Sequence, residues 1–358
     1  MKAWELEKLG GQLRLIDKPV PEARPGSVVI KMEASSLMSY MQPYVEGKLP
    51  IYHAPDKPFV PGGNGVGVVH AVGPDVWHLQ PGQRVVISSY VVAQENVEEP
   101  GQFLLGITAG GPIAEKMQND WPDGTLAEYA LVPASVVTSA GEFPDVDAAV
   151  LATTLRHVVP YGGLLRGRLA AGETLVVSGA TGSYGTAAVL VGLAMGAARV
   201  VAVGRNADVL NAVADMGGPR VVPVAVSGDV ATDATRIREA AGGGAHLAFD
   251  MVGGATDANM TLAALHSLRY QGRLVLMGSM TVPLPIPYLD VMLSGWEIIG
   301  NFMYPRHAYR RLLDLMRSGQ IDLSVIRPRV LPLSELPHAM ALASHASNFE
   351  CVVMRHEG

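Results

Sequence analysis

The sequence predicts an α/β protein in which a doubly wound parallel sheet, residues 149–302, is inserted into a mostly β domain formed by residues 1–148 and 303–358. Three observations predict it. The first hundred residues are rich in Val and Pro and lack helical periodicity. From Asp145 to about Phe302, apolar strands alternate with segments of helical spacing, which implies a parallel sheet covered on both faces. Beyond that stretch the chain returns to the style of its beginning.

Taken in order, "GSVVIKMEAS", "GVGVVHAVG" and "GQRVVISSYVVA" are strands separated by Gly and Pro turns. The tract "ENVEEPGQFLLGITAGGPIAEKMQNDWPDGTLAEYALV" carries turn residues and no clear period, so a long surface excursion ending in a strand is expected there. "PDVDAAVLATTLRHVVPYGGLL" starts acidic and has apolar residues at helical spacing. "AYRRLLDLMRSG" and "LSELPHAMALASH" are helical, and "ECVVMRH" is a closing strand.

The net charge is −6 with 17% charged residues, so the chain shows neither a basic footprint for nucleic acid nor a polybasic membrane patch. A small-molecule partner is expected. The longest uncharged run, Thr174 to Ala198, is broken by five glycines and reads as a buried strand, turn and helix. The single cysteine, Cys351, excludes an intramolecular disulfide and fits a reducing cytoplasm, and the charged N-terminus shows no secretory signal.

The strongest chemical signal is "GETLVVSGATGSYGTAAVLVGLAMGAARVVAVGRN", residues 172–206. A strand at Thr174–Ser178 runs into Gly179, Gly182 and Gly185, then into an Ala-rich helix and a second strand at Arg199–Val203. This is the dinucleotide fingerprint of a Rossmann unit: the glycines permit a tight turn, a close approach to a pyrophosphate and close helix packing. Thr181, Ser183 and Tyr184 fill the turn, where helix N-terminal amides meet the phosphates. A plain strand-to-helix connection is the structural alternative. The second strand ends in Gly204, Arg205 and Asn206, with no carboxylate to bond the ribose hydroxyls and an Arg to pair with a 2′-phosphate, which favours NADPH. Further strands, "LAFDMVGG" and "GRLVLMGSM", bring Asp250 to Gly253, with Val252, and Met277 to Ser279, with Gly278, to the nicotinamide end.

With these pieces in order the chain resembles the medium-chain dehydrogenase/reductase superfamily, which includes zinc alcohol dehydrogenases and zinc-free quinone and enoyl reductases. The resemblance is carried by "EASSLMSYMQPYVEG", "PGGNGVGVVHAVGPDV", "PGQRVV", "GTLAEYALVP", "GATGSYG", "DMVGG", "GRLVLMG" and "LPLSELPHAMALA", in the family's order over nearly the whole chain. It implies a split GroES-like catalytic domain interrupted by a Rossmann domain. Departures from the zinc members are informative. Met38 stands where they place a Cys, Gly63 and Asn64 where they place a His and a Glu, and Ala152 to Thr154 near their third ligand. Residues 90–120 lack the four cysteines of their structural zinc lobe. A catalytic zinc needs three protein ligands, so no metal site is expected, and His53, His70, His78 and His157 are dispersed.

Without a Lewis acid, electrophilic substrates become the natural choice: an enone, enal or quinone whose own carbonyl accepts the enolate charge. Tyr52, Tyr40 and His53 are candidate proton or hydrogen-bond donors, with Tyr44 in the same loop. Asn64 could bond a carbonyl or only stabilise a turn, and Tyr161 suits a core role. "SGWEIIGNFMYP" resembles the edge strand through which family members dimerise, so a homodimer is expected. The leading expectation is a cytoplasmic, zinc-independent, NADPH-dependent reductase of activated double bonds or quinones. A zinc-free alcohol dehydrogenase or carbonyl reductase, and a non-catalytic NADPH-binding protein, are the alternatives.

Overall fold

The computed structural model describes residues 1–357, which form two compact units. One comprises Met1–Leu155 and the stretch from Ile326; the other is Arg156–Val325.

In the first unit the strand Ser27–Ser36 is the organiser, because it is buried except at Lys31 and Glu33 and presents Val28, Ile30, Met32 and Ala34 on one apolar face. It pairs antiparallel with Gly65–Val72, Tyr129–Pro133 and Glu350–Arg355, so the last strand of the chain closes onto one of the first. Arg84–Ile87 and Val137–Ser139 extend one side of this sheet, and Arg327–Pro332 the other. The expected single strand "GQRVVISSYVVA" is two, Arg84–Ile87 and Tyr90–Val92, since the chain changes sheets at two serines. The amide of Ser88 donates to Val136, and the carbonyl of Ser89 accepts from Leu105.

The expected surface excursion after residue 94 is instead folded and partly internal. Gln102–Leu104 and Thr108–Ala109 complete a small antiparallel sheet with Tyr90–Val92, and Pro112–Asp120 is a helix. Residues 103–107 are buried without interruption, with Phe103, Leu105 and Ile107 among them, although the flanking glycines make the tract read as a loop. Phe103 and Leu105 join the core of Val28, Ile30 and Ile87.

The second unit holds a six-stranded, all-parallel sheet in the order Val221–Ala225, Arg199–Gly204, Thr174–Ser178, Ala245–Asp250, Leu268–Leu276, Glu297–Gly300. In order of appearance this is 3-2-1-4-5-6, the doubly wound arrangement whose ligand crevice opens at the carboxyl ends beside the first strand. Continuous Val, Leu and Ala runs make these strands, as burial on both faces demands.

The unit limits differ from 149 and 302. The helix Ala148–Ala152, N-capped by Asp147, packs on the strands Ser27–Ser36 and Gly65–Val72 and so belongs with the first unit. At the other end residues 303–325 belong with the parallel sheet. A Cβ at Gly162 would stand 2.4 Å from the Met303 carbonyl oxygen, so this segment lies directly on the helix Leu155–Arg166. Tyr309, Leu312, Leu313 and Met316 of the helix Ala308–Arg317 are buried. Among the described residues no helix is long and apolar enough to cross a membrane.

Candidate functional site

The glycine turn of the second unit is built as a phosphate cradle. Gly179 adopts φ +78°, a conformation that L side chains avoid. A Cβ at Gly185 would stand 2.0 Å from the Gly179 carbonyl oxygen, so the helix Ser183–Ala194 can approach the turn only with glycine there. Gly182 is the N-cap of that helix and makes no side-chain cap, which leaves the first amides to a ligand. Ser183 and Tyr184 form the half-buried first turn.

At the end of the second strand, Gly204 gives Thr181 its place: a Cβ there would stand 2.7 Å from the Thr181 methyl carbon. Arg205 is exposed and lines the same cleft of about 280 Å³ as Gly179, Thr181, Gly182 and Val252. Asn206 caps the next helix, its Oδ1 accepting from Val209 N at 3.1 Å. The cradle therefore offers helix amides, a hydroxyl and a guanidinium, the donor set that a dinucleotide phosphate needs.

Two loops pack together at the carboxyl edge. A Cβ at Gly278 would stand 2.1 Å from the Val252 carbonyl oxygen, and one at Gly253 2.8 Å from the Ser279 hydroxyl oxygen. Asp250, which the sequence brings to the nicotinamide end, binds both its own loop and the next helix. It is buried, accepts from Val252 N at 3.2 Å and from the Thr261 hydroxyl at 3.1 Å, and burial pushes its carboxyl up to about 6.

In the first unit Tyr40, Tyr44 and Tyr52 form one aromatic cluster, with the Tyr52 ring 5.7 Å from each of the other two. Burial raises the Tyr52 hydroxyl above its ordinary range, and a hydrogen bond with Tyr40 draws it partly back. Tyr44 is deeper, its hydroxyl pushed far up by burial and without a hydrogen-bond partner. His53 is exposed, while its backbone is fixed by the Thr108 hydroxyl and the Gln118 amide.

The region that the resemblance assigns to metal ligands does not fit a zinc ion. Asn64 spends its amide on Ser36: Oδ1 accepts from the Ser36 amide and hydroxyl at 3.2 and 2.7 Å, and Nδ2 donates to the Ser36 carbonyl at 3.1 Å. Of its two readings these contacts are those of the turn stabiliser. A Cβ at Gly63 would stand 2.3 Å from the Leu105 carbonyl oxygen and 2.7 Å from Ser89 Cβ, so the backbone leaves no room for a ligand side chain. Met38, Thr153 and Thr154 are buried but offer no imidazole, thiolate or carboxylate.

Sequence reasoning missed Arg156. It is buried, with one guanidinium nitrogen that has no partner, and its only signal in the sequence is a charge inside an otherwise apolar helical run. Tyr161 is buried, as its expected core role requires, and so is His157.

Comparison with known proteins agrees with this architecture. Residues 24–142 match the alcohol dehydrogenase GroES-like domain, and residues 184–318 match the zinc-binding dehydrogenase family, whose match also runs past residue 302. An alcohol dehydrogenase of Moraxella sp. (strain TAE123) is 32% identical over 329 residues, 91% of both chains. One from Geobacillus stearothermophilus is 28% identical over 94% of each. Among solved structures, alcohol dehydrogenase TADH from Thermus sp. ATN1 superposes with a TM-score of 0.80 at 23% identity over 100% of both chains. The 2R,3R-butanediol dehydrogenase from Bacillus subtilis does so with 0.79 at 21% over 99% of each. These two show the fold. With the Rossmann cradle, the GroES-like domain and the Moraxella relative in agreement, the chain belongs to the alcohol dehydrogenase-type family of medium-chain dehydrogenase/reductases, nicotinamide-dinucleotide-dependent oxidoreductases.

Proposed function

We propose that the chain is a zinc-independent, NADPH-dependent reductase of activated C=C bonds or quinones. The observation that carries this reading is the packing at position 63, where the Leu105 carbonyl and Ser89 occupy the space of a ligand side chain, while Asn64 is committed to Ser36. Without ligands for a Lewis acid, the substrate must bring its own electron sink.

Gly182 and the first amides of the helix Ser183–Ala194 would hold the pyrophosphate. Arg205 and the Asn206 Nδ2 would hold the 2′-phosphate, Thr181 the ribose side, and Val252, Gly278 and Ser279 the nicotinamide end. NADPH bound there would supply the hydride that the electrophilic carbon accepts. The negative charge then passes to the substrate oxygen, and Tyr52, kept protonated by burial, gives its proton to the enolate. Tyr40, hydrogen-bonded to it, returns the proton from solvent. His53 lies on the same loop as an exposed second donor.

A second reading is a zinc-free alcohol dehydrogenase or carbonyl reductase with Tyr52 as acid and base. The names of the curated relatives favour it. Under either reading the protein acts as a cytoplasmic homodimer. The edge strand Glu297–Gly300 has no partner on its outer side among the described strands, and Leu289, Met292, Leu293 and Phe302 stand exposed around it.

The test is oxidation of NADPH and NADH by chelator-treated protein with 2-cyclohexenone or a naphthoquinone, with product mass. Saturated ketone or hydroquinone formed with NADPH, and a loss of kcat of about 10²- to 10⁴-fold in Tyr52→Phe, supports the proposal. Allylic alcohol alone supports the second reading, and activity abolished by chelation overturns both.

A further inference from the structure

The loop from Met251 to Asp257 forms one wall of the cofactor cleft, and the helix that follows contributes Met260 and Thr261. Within the loop only Asp257 is anchored by its side chain, its carboxylate accepting from the Asn259 amide at 2.9 Å, while Gly253 and Gly254 carry no side chain and Thr256 is exposed. The rest of the wall is held from outside. The Val252 backbone is wedged against Gly278, and Gly179 lies close to the Met251 carbonyl. Beneath them Asp250 fastens the start of the loop, through the Val252 amide, and the helix, through the Thr261 hydroxyl, with the two oxygens of one carboxylate. Both fastened residues line the cleft, whereas Asp250 does not.

The surroundings of this carboxylate are uncharged. It faces Thr261 from the helix Asn259–His266 and the Val252 amide from its own loop. Its register partner in the neighbouring strand is Ser178, whose buried hydroxyl has no partner. On the other side Met277 donates its amide to the Asp250 carbonyl. Among the described residues no cation pairs with this carboxylate, and its shift comes from burial, opposed by the bonds from Val252 and Thr261. A pyrophosphate seated in the cleft adds negative charge on the same side of the sheet end, so the proton on Asp250 and the cofactor favour one another.

Resting on the dinucleotide reading of this cleft, we propose that Asp250 is a positioning residue which sets Val252 and Thr261 for the cofactor and couples NADPH binding to uptake of one proton. The coupling follows from linkage. If the bound state holds the proton more tightly than the free state, affinity falls as pH rises through the titration of Asp250, by at most tenfold per pH unit (about,). Burial already pushes that titration up to about 6.

The experiment is calorimetric titration of the whole protein with NADPH between pH 5.5 and 8, in buffers of different ionisation enthalpy, for wild type, Asp250→Asn and Thr261→Val. The 2′-phosphate of NADPH itself titrates at roughly pH 6, but its contribution is common to all three proteins and cancels. Asn keeps an acceptor for Val252 and cannot titrate. Wild type is expected to take up a fraction of a proton more than Asp250→Asn and to lose several-fold more affinity from pH 6 to 8. Thr261→Val, which removes a bond to the charged form, moves the proton uptake to higher pH. It also carries the test if Asp250→Asn fails to fold in a thermal melt. Equal uptake in wild type and Asp250→Asn, or an unmoved profile in Thr261→Val, overturns the proposal while leaving the cleft a dinucleotide site. Absence of binding of both NADPH and NADH to wild type overturns the cleft reading and this proposal with it.

Discussion

Asn64 and Ser36 are joined by three hydrogen bonds, two into the Asn64 Oδ1 and one from its Nδ2, and both residues are buried. The pair ties the turn before the strand Gly65–Val72 to the end of the strand Ser27–Ser36. Asn64→Leu is expected to strand the Ser36 hydroxyl and amide and to cost about 2–4 kcal/mol. Urea denaturation followed by circular dichroism checks this. A midpoint equal to wild type, with lowered kcat, would instead make Asn64 a substrate-binding residue.

Gly63 should be equally intolerant of the histidine that a metal site requires. The Leu105 carbonyl oxygen 2.3 Å from its built Cβ is backbone and cannot swing away, so even Gly63→Ala is expected to cost about 1–3 kcal/mol. Gly63→His, expressed with zinc and desalted, should carry far less than one zinc per chain by elemental analysis. A stoichiometric metal would mean that this region opens to accept a ligand.

On the proposed NADPH reading, Arg205, which lines the cleft, is the residue expected to discriminate between the two cofactors. Arg205→Ala removes a charge-assisted contact to the 2′-phosphate and should weaken NADPH binding by about 10- to 100-fold. NADH, which has no such phosphate, should bind within a few-fold of its wild-type affinity. Fluorescence titration of both nucleotides reads the result, and an equal loss for both would remove Arg205 from the 2′-phosphate site.

His356 makes the first unit sensitive to acid. It is buried, its Nδ1 is 2.8 Å from the Ala127 carbonyl oxygen and its Nε2 is 3.0 Å from the Ser35 hydroxyl oxygen. Burial disfavours the imidazolium and lowers the folded-state value from 6.5 to about 4. The unfolded chain therefore binds the proton first. The stabilisation is complete above pH 6.5 and is lost as pH falls from 6.5 toward 4, by about 3 kcal/mol in total. Asp250 titrates in an overlapping range with the opposite sign, so the comparison must be with His356→Gln, which keeps Asp250 and should flatten the difference. Stability against urea at pH 7, 5.5 and 4.5 checks it.

Local patterning was enough to read the strand Thr174–Ser178, the glycine turn and the parallel sheet, because each depends on residues close together in the chain: apolar runs, glycines at fixed spacing, an Arg at a strand end. The strand Ser27–Ser36 was legible for the same reason, whereas the edge strand at Glu297 was read from its resemblance to the family. What only the tertiary structure decided involves partners far apart in sequence. Leu105 fills the space at Gly63, and Ser36 consumes the amide of Asn64. Met303 and Tyr304 lie on Gly162 and carry residues 303–325 into the unit of the parallel sheet. Phe103, Leu105 and Ile107 enter the core from a tract that reads as a loop. Asp250 looks like a turn residue until Thr261 and the burial around it are seen. Periodicity and turn chemistry are short-range and leave a mark in the letters, whereas steric exclusion, desolvation and the saturation of a buried polar group exist only once distant segments are packed together.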